Sequence, residues 1–217
     1  MLFPTLKVEQ SLWKKGVQLV AGVDEVGRGA FAGPIVAGAV MITAPHEFAR
    51  MKRRNEFSRI RDSKTVSEKE REELYERLIA SGIVWSVGVV HVARIDVVGI
   101  GRANREAIVR AVTALATKPA HVLVDVIRVR ELAIPYTSVP DGDGRVFSIA
   151  AASIIAKVTR DRMMRKLHEQ YPHYGFDEHK GYGTAQHQRM LRAHGLCPEH
   201  RRSFAPIRRL SDSKSRG

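Results

Sequence analysis

Apolar positions along this chain fall into two patterns: short unbroken runs punctuated by glycine, and longer stretches with a helical period. Residues 19–26 (LVAGVDEV) and 34–42 (PIVAGAVMI) are of the first kind. Small and β-branched side chains dominate them and a glycine-rich loop joins them, which predicts two buried strands in a hairpin-like start. Farther on, Ser67 precedes Glu70 at capping-box spacing, and Leu74, Tyr75, Leu78 and Ile79 follow at helical intervals, predicting a helix over 67–81. IVWSVGVVHV (83–92) predicts a third strand, and NREAIVRAVTALAT (104–117) a helix stopped by Lys118-Pro119. HVLVDV (121–126) predicts a fourth strand, LAIPYTSV (132–139) a fifth, PDGDGR (140–145) a loop, and residues 148–171 a long helix.

Three strands in succession, followed by strands alternating with helices, imply a mixed sheet covered by helices, of the α/β class. From Pro172 onward, His, Arg and Gly replace long apolar runs, so the pattern predicts a core over 1–171 and a small helical extension with a polar tail over 172–217. No internal repeat or low-complexity segment interrupts this plan.

Charge narrows the partners. With 36 Lys and Arg against 23 Asp and Glu, the net charge of +13 points to a polyanion, nucleic acid before a membrane surface. The first residues lack signal-peptide character, and no run reaches the roughly 18 apolar residues of a membrane span, so no membrane association is expected. Cys197 is the only cysteine, which precludes an internal disulfide and makes a cytoplasmic location the simplest expectation.

Against this basic background, the acids at strand ends are anomalous. Asp24 and Asp125 each close an apolar run, where an ionised carboxylate is costly unless paired or bound to a metal. Glu25 lies beside the first, and Asp143 sits in the later glycine-containing loop. A lone strand-end Asp is most simply a turn cap or an arginine partner. A group of acids needs a compensating cation, and hard oxygen donors suit Mg²⁺ or Mn²⁺. Strand side chains alternate, so Asp24 and Glu25 share a face only if the strand breaks at Glu25; otherwise Glu25 would act partly through its backbone carbonyl.

The loop Gly27-Arg28-Gly29-Ala30-Phe31-Ala32-Gly33 has the wrong spacing for a dinucleotide fingerprint, and Pro34 leads into a strand rather than a helix. GIGRAN (99–104) lacks a third glycine. Glycines at 27 and 29 instead give a ligand's sugar or phosphate access to main-chain groups. His187, His194, Cys197 and His200 could be read as a zinc knuckle, but their spacing matches no common structural site. A surface near nucleic acid is the expected role of these histidines.

In order, GVDEVGRG, DSK, VLVD, SIAAASIIAKVTRD and HKGYGT resemble the ribonuclease HII family, over roughly residues 18–209. The resemblance implies a ribonuclease H-like mixed sheet flanked by helices, with a C-terminal helical extension. It implies endonucleolytic cleavage of RNA/DNA hybrids and of ribonucleotide-containing duplex DNA, by a monomer using two Mg²⁺ or Mn²⁺ ions. The family's four acids fall on Asp24, Glu25, Asp125 and Asp143; Asp143, rather than Asp141, directly precedes the matching GRVFSIAAAS stretch. By the same resemblance, the Gly27-Arg28-Gly29 backbone reads the 2′-hydroxyl at an RNA-to-DNA junction, and Tyr182 stacks on the deoxyribose that follows. Ser63 and Lys64 would hold phosphates, with Lys180 a weaker candidate, while Asp161 looks structural. Ribonuclease HIII usually has Gly-Thr-Gly after the acidic pair and an extra N-terminal domain, so Arg28 and the short N-terminus favour HII.

The chain departs from the family at Thr65-Val66, where Lys-Leu is common, at Val126 in place of glycine, and at Asp141-Gly142 in place of Lys-Gly. VVGIG (97–101) replaces the usual Asn-Ile turn. A binder without catalysis, or another ribonuclease H-fold nuclease such as a junction resolvase, would share the basic charge and differ in turnover and substrate.

Overall fold

The computed structural model describes residues 4–42, 60, 66–125 and 128–214. Its strands are β1 (Val20–Val26), β2 (Ile35–Ile42), β3 (Val84–Val90), β4 (His121–Asp125) and β5 (Tyr136–Val139), in the order β3-β2-β1-β4-β5. The β3-β2-β1 half is antiparallel and β1-β4-β5 is parallel, giving the mixed sheet predicted from the pattern. Helices α1 (Lys7–Lys14), α2 (Glu68–Ala80), α3 (Val92–Val98), α4 (Ile100–Thr113), α5 (Gly142–Arg145) and α6 (Phe147–Gln170) surround it. After a 3₁₀ turn at Pro172–Tyr174 come α7 (Phe176–His179), α8 (Ala185–His194) and α9 (Ala205–Lys214).

Alternation along β1 decides what each face holds. Val20 packs with Val40, Leu123, Ile149 and Ile154 against α6, whereas Ala21 and Val23 pack with Met41, Ala107 and Ile108 against α4. Glycine permits the close approach on both faces. A Cβ at Gly22 would lie 2.3 Å from the Ser148 carbonyl carbon, and one at Gly88 2.1 Å from the Ala107 carbonyl oxygen. A third cluster, with Met164, Phe176, Leu191 and Ile207, joins the far end of α6 to the C-terminal helices.

Several elements depart from the pattern. The apolar pattern predicts no helix over residues 7–14, yet α1 forms and Leu6 and Trp13 enter the core. Its Glu9, fully buried, accepts the Ser148 N–H at 2.9 Å. That contact serves the start of α6, whose own N-cap residue, Val146, has no side chain able to cap. The predicted third strand ends at Val90, because Val92 opens α3; α4 begins at Ile100, ahead of the expected 104. PDGDGR contains the single-turn α5, entered through Asp141 with φ of 53°. Val66 is buried in the core, so the departure from the family's leucine there keeps an apolar anchor.

Candidate active site

Parallel pairing of β1 with β4 places Val23 level with Val124, and the next step of that register carries Asp24 to the level of Asp125. The acids at the two strand ends are therefore neighbours at one end of the sheet. Asp125 Oδ1 accepts the Gly142 N–H at 3.0 Å, which holds the first turn of α5 and, with it, Asp143 against the strand ends. Asp24 and Asp143 are both buried, Glu25 and Asp125 partly so. Asp141, the extra acid, is exposed.

Asp24 lies on the α6 face of the sheet, where the Ser153 hydroxyl hydrogen-bonds to it. Burial, then the charges of Glu25 and Asp143, push its carboxyl up to about 8. The opposing influences are hydrogen bonds from Ser153 and the Glu25 backbone. A buried carboxyl raised by two other acids, in a donor set made only of carboxylates, fits a hard divalent cation. The four acids do not stand as a closed cage: among the described residues, no three such groups are gathered in a ligating cluster.

The strand does not break at Glu25. β1 stays paired with β2 through Val26, with Glu25 opposite Ala37. Alternation therefore aims the Glu25 side chain away from the face that Asp24 occupies.

The glycine loop adjoins these acids and bends back over the C-terminal extension. Gly27 is buried with φ of 90°, and a Cβ there would lie 2.1 Å from Arg160 Nε. Arg28 and Gly29 are exposed. Phe31 and Ala32 N–H groups donate to the Gly181 carbonyl at 2.8 and 3.2 Å, and Gly33 N–H donates to Glu199 O at 2.9 Å. Tyr182, half-buried rather than a core tyrosine, lies over the Arg160 guanidinium, 5.4 Å from ring centroid to Cζ. The loop and Tyr182 thus form one continuous surface beside the acids.

Lys180 is placed differently from a phosphate contact. It is buried with φ of 51°, and its ammonium donates to the Asp177 carbonyl and lies 3.7 Å from Glu68 Oε1. Its backbone contributes instead, accepting from Arg160. Ser63 and Lys64 lie outside the described residues, as do Thr65 and Val126. Asp161 is structural as expected: it pairs with Lys157 at 2.6 Å and Arg71 at 3.3 Å. The pattern did not single out Arg160 and Arg201 as part of this site; both are fully buried beneath the loop.

His187 and His200, with Cys197, form an interior chain rather than a surface or a zinc site, whereas His194 is exposed as expected. Cys197 N–H donates to His200 Nδ1 at 3.0 Å, so His200 carries its proton on Nε2 and donates to His187 Nε2 at 3.0 Å. His187 Nδ1 then donates to the Tyr182 carbonyl at 2.9 Å. Because His200 turns one nitrogen to His187 and the other to Cys197, the three cannot meet at one ion; His194 stacks on His173 instead. Burial pulls His187 and His200 down to about 4. With an ordinary value of 6.5, the unfolded chain takes up protons between pH 6.5 and 4 that the folded chain refuses. The stability of the neutral pair is therefore present above that window and lost as pH falls through it, on the order of 3 kcal/mol for each ring. Urea midpoints between pH 7 and 4 are expected to fall more steeply for the wild type than for His200→Gln; parallel curves would contradict this.

The mixed sheet, the flanking helices and the acids at the strand ends define a ribonuclease H-like nuclease. A family model for ribonuclease HII matches residues 21–207. A ribonuclease HII of Bacillus cereus (strain G9842) is 45% identical over 206 residues, covering 95% of this chain and 76% of that protein. The chain belongs to the ribonuclease HII family and is an endoribonuclease acting on RNA/DNA hybrids. Among solved structures, the ribonuclease H2 of Pyrococcus horikoshii OT3 superposes with a TM-score of 0.76 at 27% identity, over 92% of this chain and all of that one. Bst ribonuclease HIII in complex with Mn²⁺ shares the fold, with a TM-score of 0.66 at 20% identity over 93% of this chain and 71% of that one. Among the described residues, no helix is long and apolar enough to cross a membrane.

Proposed function

We propose that this chain is a divalent-metal-dependent endonuclease that cuts 5′ of ribonucleotides, in hybrids and singly within duplex DNA, leaving 5′-phosphate and 3′-hydroxyl ends. The observation that carries the reading is the meeting, at one end of the sheet, of Asp24, Asp125 and Asp143 with the glycine loop and Tyr182. The Asp24, Asp125 and Asp143 carboxylates, with Glu25 contributing through its backbone carbonyl, would hold Mg²⁺ or Mn²⁺, the latter being the ion in the complex of a ribonuclease HIII. Such ions, when bound, supply an activated water and Lewis-acid stabilisation of the leaving 3′-oxygen.

The chain's own residues do the rest. Ser153 orients the Asp24 carboxylate, and the bond from Gly142 to Asp125 sets where Asp143 stands. Gly27, Arg28 and Gly29 offer main-chain groups to the ribose 2′-hydroxyl, and the open space around Gly29 lets the sugar approach. Tyr182 stacks on the following deoxyribose. Residues 172–217 act as an extension that completes this substrate surface, with Ser63 and Lys64 serving the phosphates.

The test is cleavage of a uniform RNA/DNA hybrid and of a DNA duplex with a single internal ribonucleotide, each with Mg²⁺, Mn²⁺ or EDTA. The reading expects both to be cut with either cation and neither with EDTA. Tight, salt-sensitive binding without turnover would overturn it in favour of a non-catalytic binder.

A further inference from the structure

Arg160 and Arg201 are buried completely, and among the described residues all their hydrogen bonds go to backbone carbonyls. Arg160, from α6, donates to Pro34 O at 2.9 Å, Ala32 O at 3.1 Å and Lys180 O at 2.9 Å. Arg201, from beyond α8, donates twice to Gly33 O, at 3.0 and 2.8 Å, and to Arg28 O at 3.0 Å. The acceptors thus fall on two segments: the loop after β1 and the turn bearing Tyr182.

Burying two like charges side by side is costly, and an apolar side chain of similar volume often stabilises a fold as well or better. Burial, and then the neighbouring Arg160 charge, pull Arg201 down to about 9. What a guanidinium offers in exchange is a planar fork of donors with fixed directions. Here Arg160 fixes carbonyls at Ala32 and Pro34 relative to one at Lys180, and Arg201 fixes those at Arg28 and Gly33 relative to each other, while the Arg160 plane also supports the Tyr182 ring. Glycine is required where this clamp passes: the Arg160 side chain fills the space that a Cβ at Gly27 would need.

We propose that Arg160 and Arg201 are positioning residues that make one rigid junction reader: Arg160 joins the Gly27–Pro34 loop to the Lys180–Gly183 turn, and Arg201 holds the two ends of that loop. They set the spacing between the backbone that meets the 2′-hydroxyl and the ring that meets the next sugar. This rests on the substrate reading above. The clamp therefore governs discrimination between a single ribonucleotide and a run of them, more than the cleavage step itself.

The experiment compares wild type with Arg160→Lys, Arg160→Met and Arg201→Lys. It measures kcat/KM on the single-ribonucleotide duplex and on the uniform hybrid, together with amide hydrogen exchange. The single-ribonucleotide value is expected to fall at least about tenfold more than the hybrid value in every variant that folds. Lysine fails to rescue, because charge without the fork does not hold the carbonyls. Amides of Phe31, Ala32 and Gly33 exchange faster while those of β1 and β2 do not. An unchanged substrate ratio with unchanged loop exchange would overturn the clamp. If Arg160→Met does not fold, Arg201→Lys carries the comparison. If wild type cuts neither duplex, the substrate reading falls, and loop exchange alone decides whether the arginines hold the loop in place.

Discussion

Asp24→Asn is expected to lower kcat by about a thousandfold or more, while making the metal-free protein more stable at pH 8. The amide keeps the shape and the hydrogen bond with Ser153 but is a poor ligand for a hard cation. The stability gain follows from linkage. The folded carboxyl keeps its proton up to about pH 8, whereas the unfolded one releases it near 3.8. Wild-type stability from this group is fully present below 3.8 and is lost as pH rises through 8, a change on the order of 6 kcal/mol that the asparagine avoids. Denaturant midpoints across pH 4–9 in EDTA read the difference directly. Adding Mn²⁺ is expected to raise the wild-type midpoint and leave that of Asp24→Asn unmoved. Asp125→Asn should lose activity in the same way, since its amide oxygen can still accept from Gly142. Substantial cation-dependent turnover by either variant, in a preparation free of host nuclease, would sink the assignment of the acids.

Gly22→Ala is expected to destabilise the fold by about 3 kcal/mol and to lower activity along with it. The added Cβ would lie 2.3 Å from the Ser148 carbonyl carbon and 2.4 Å from the Ile149 nitrogen, both backbone atoms of α6 that cannot rotate aside. Relief requires β1 and α6 to separate, and these two elements carry Asp24 and Ser153. The comparison is a thermal or urea midpoint beside Gly29→Ala, where a Cβ meets nothing within 4 Å. Equal stability of the two variants would show that the sheet and helix are less tightly joined than the distances require.

Much of this architecture was legible because it rests on short-range pattern. Apolar runs located the strands, and the acids stood out because each ends a run that burial otherwise keeps apolar. That Asp24 and Asp125 lie side by side followed once β1 and β4 were neighbours. Helix α1 was not legible, since charged residues surround its two anchors, Leu6 and Trp13, and its buried acid serves a helix that begins at Phe147. Arg160 reads as one more basic residue in TRDR; its burial is created by the loop at 32–34 and the turn at 180, more than 100 and about 20 positions distant respectively. His187 and His200 misled for the same reason, since residue types and spacing say nothing of which ring nitrogen faces which partner.

The most direct measurement is the position of the cut, at single-nucleotide resolution, in a DNA duplex bearing one internal ribonucleotide and supplied with Mg²⁺ or Mn²⁺. The account predicts a single break immediately 5′ of the ribonucleotide, with a 3′-hydroxyl on one side and a 5′-phosphate on the other. Cleavage confined to long hybrids, with the single ribonucleotide left intact, would contradict junction reading by Gly27–Gly29 and Tyr182.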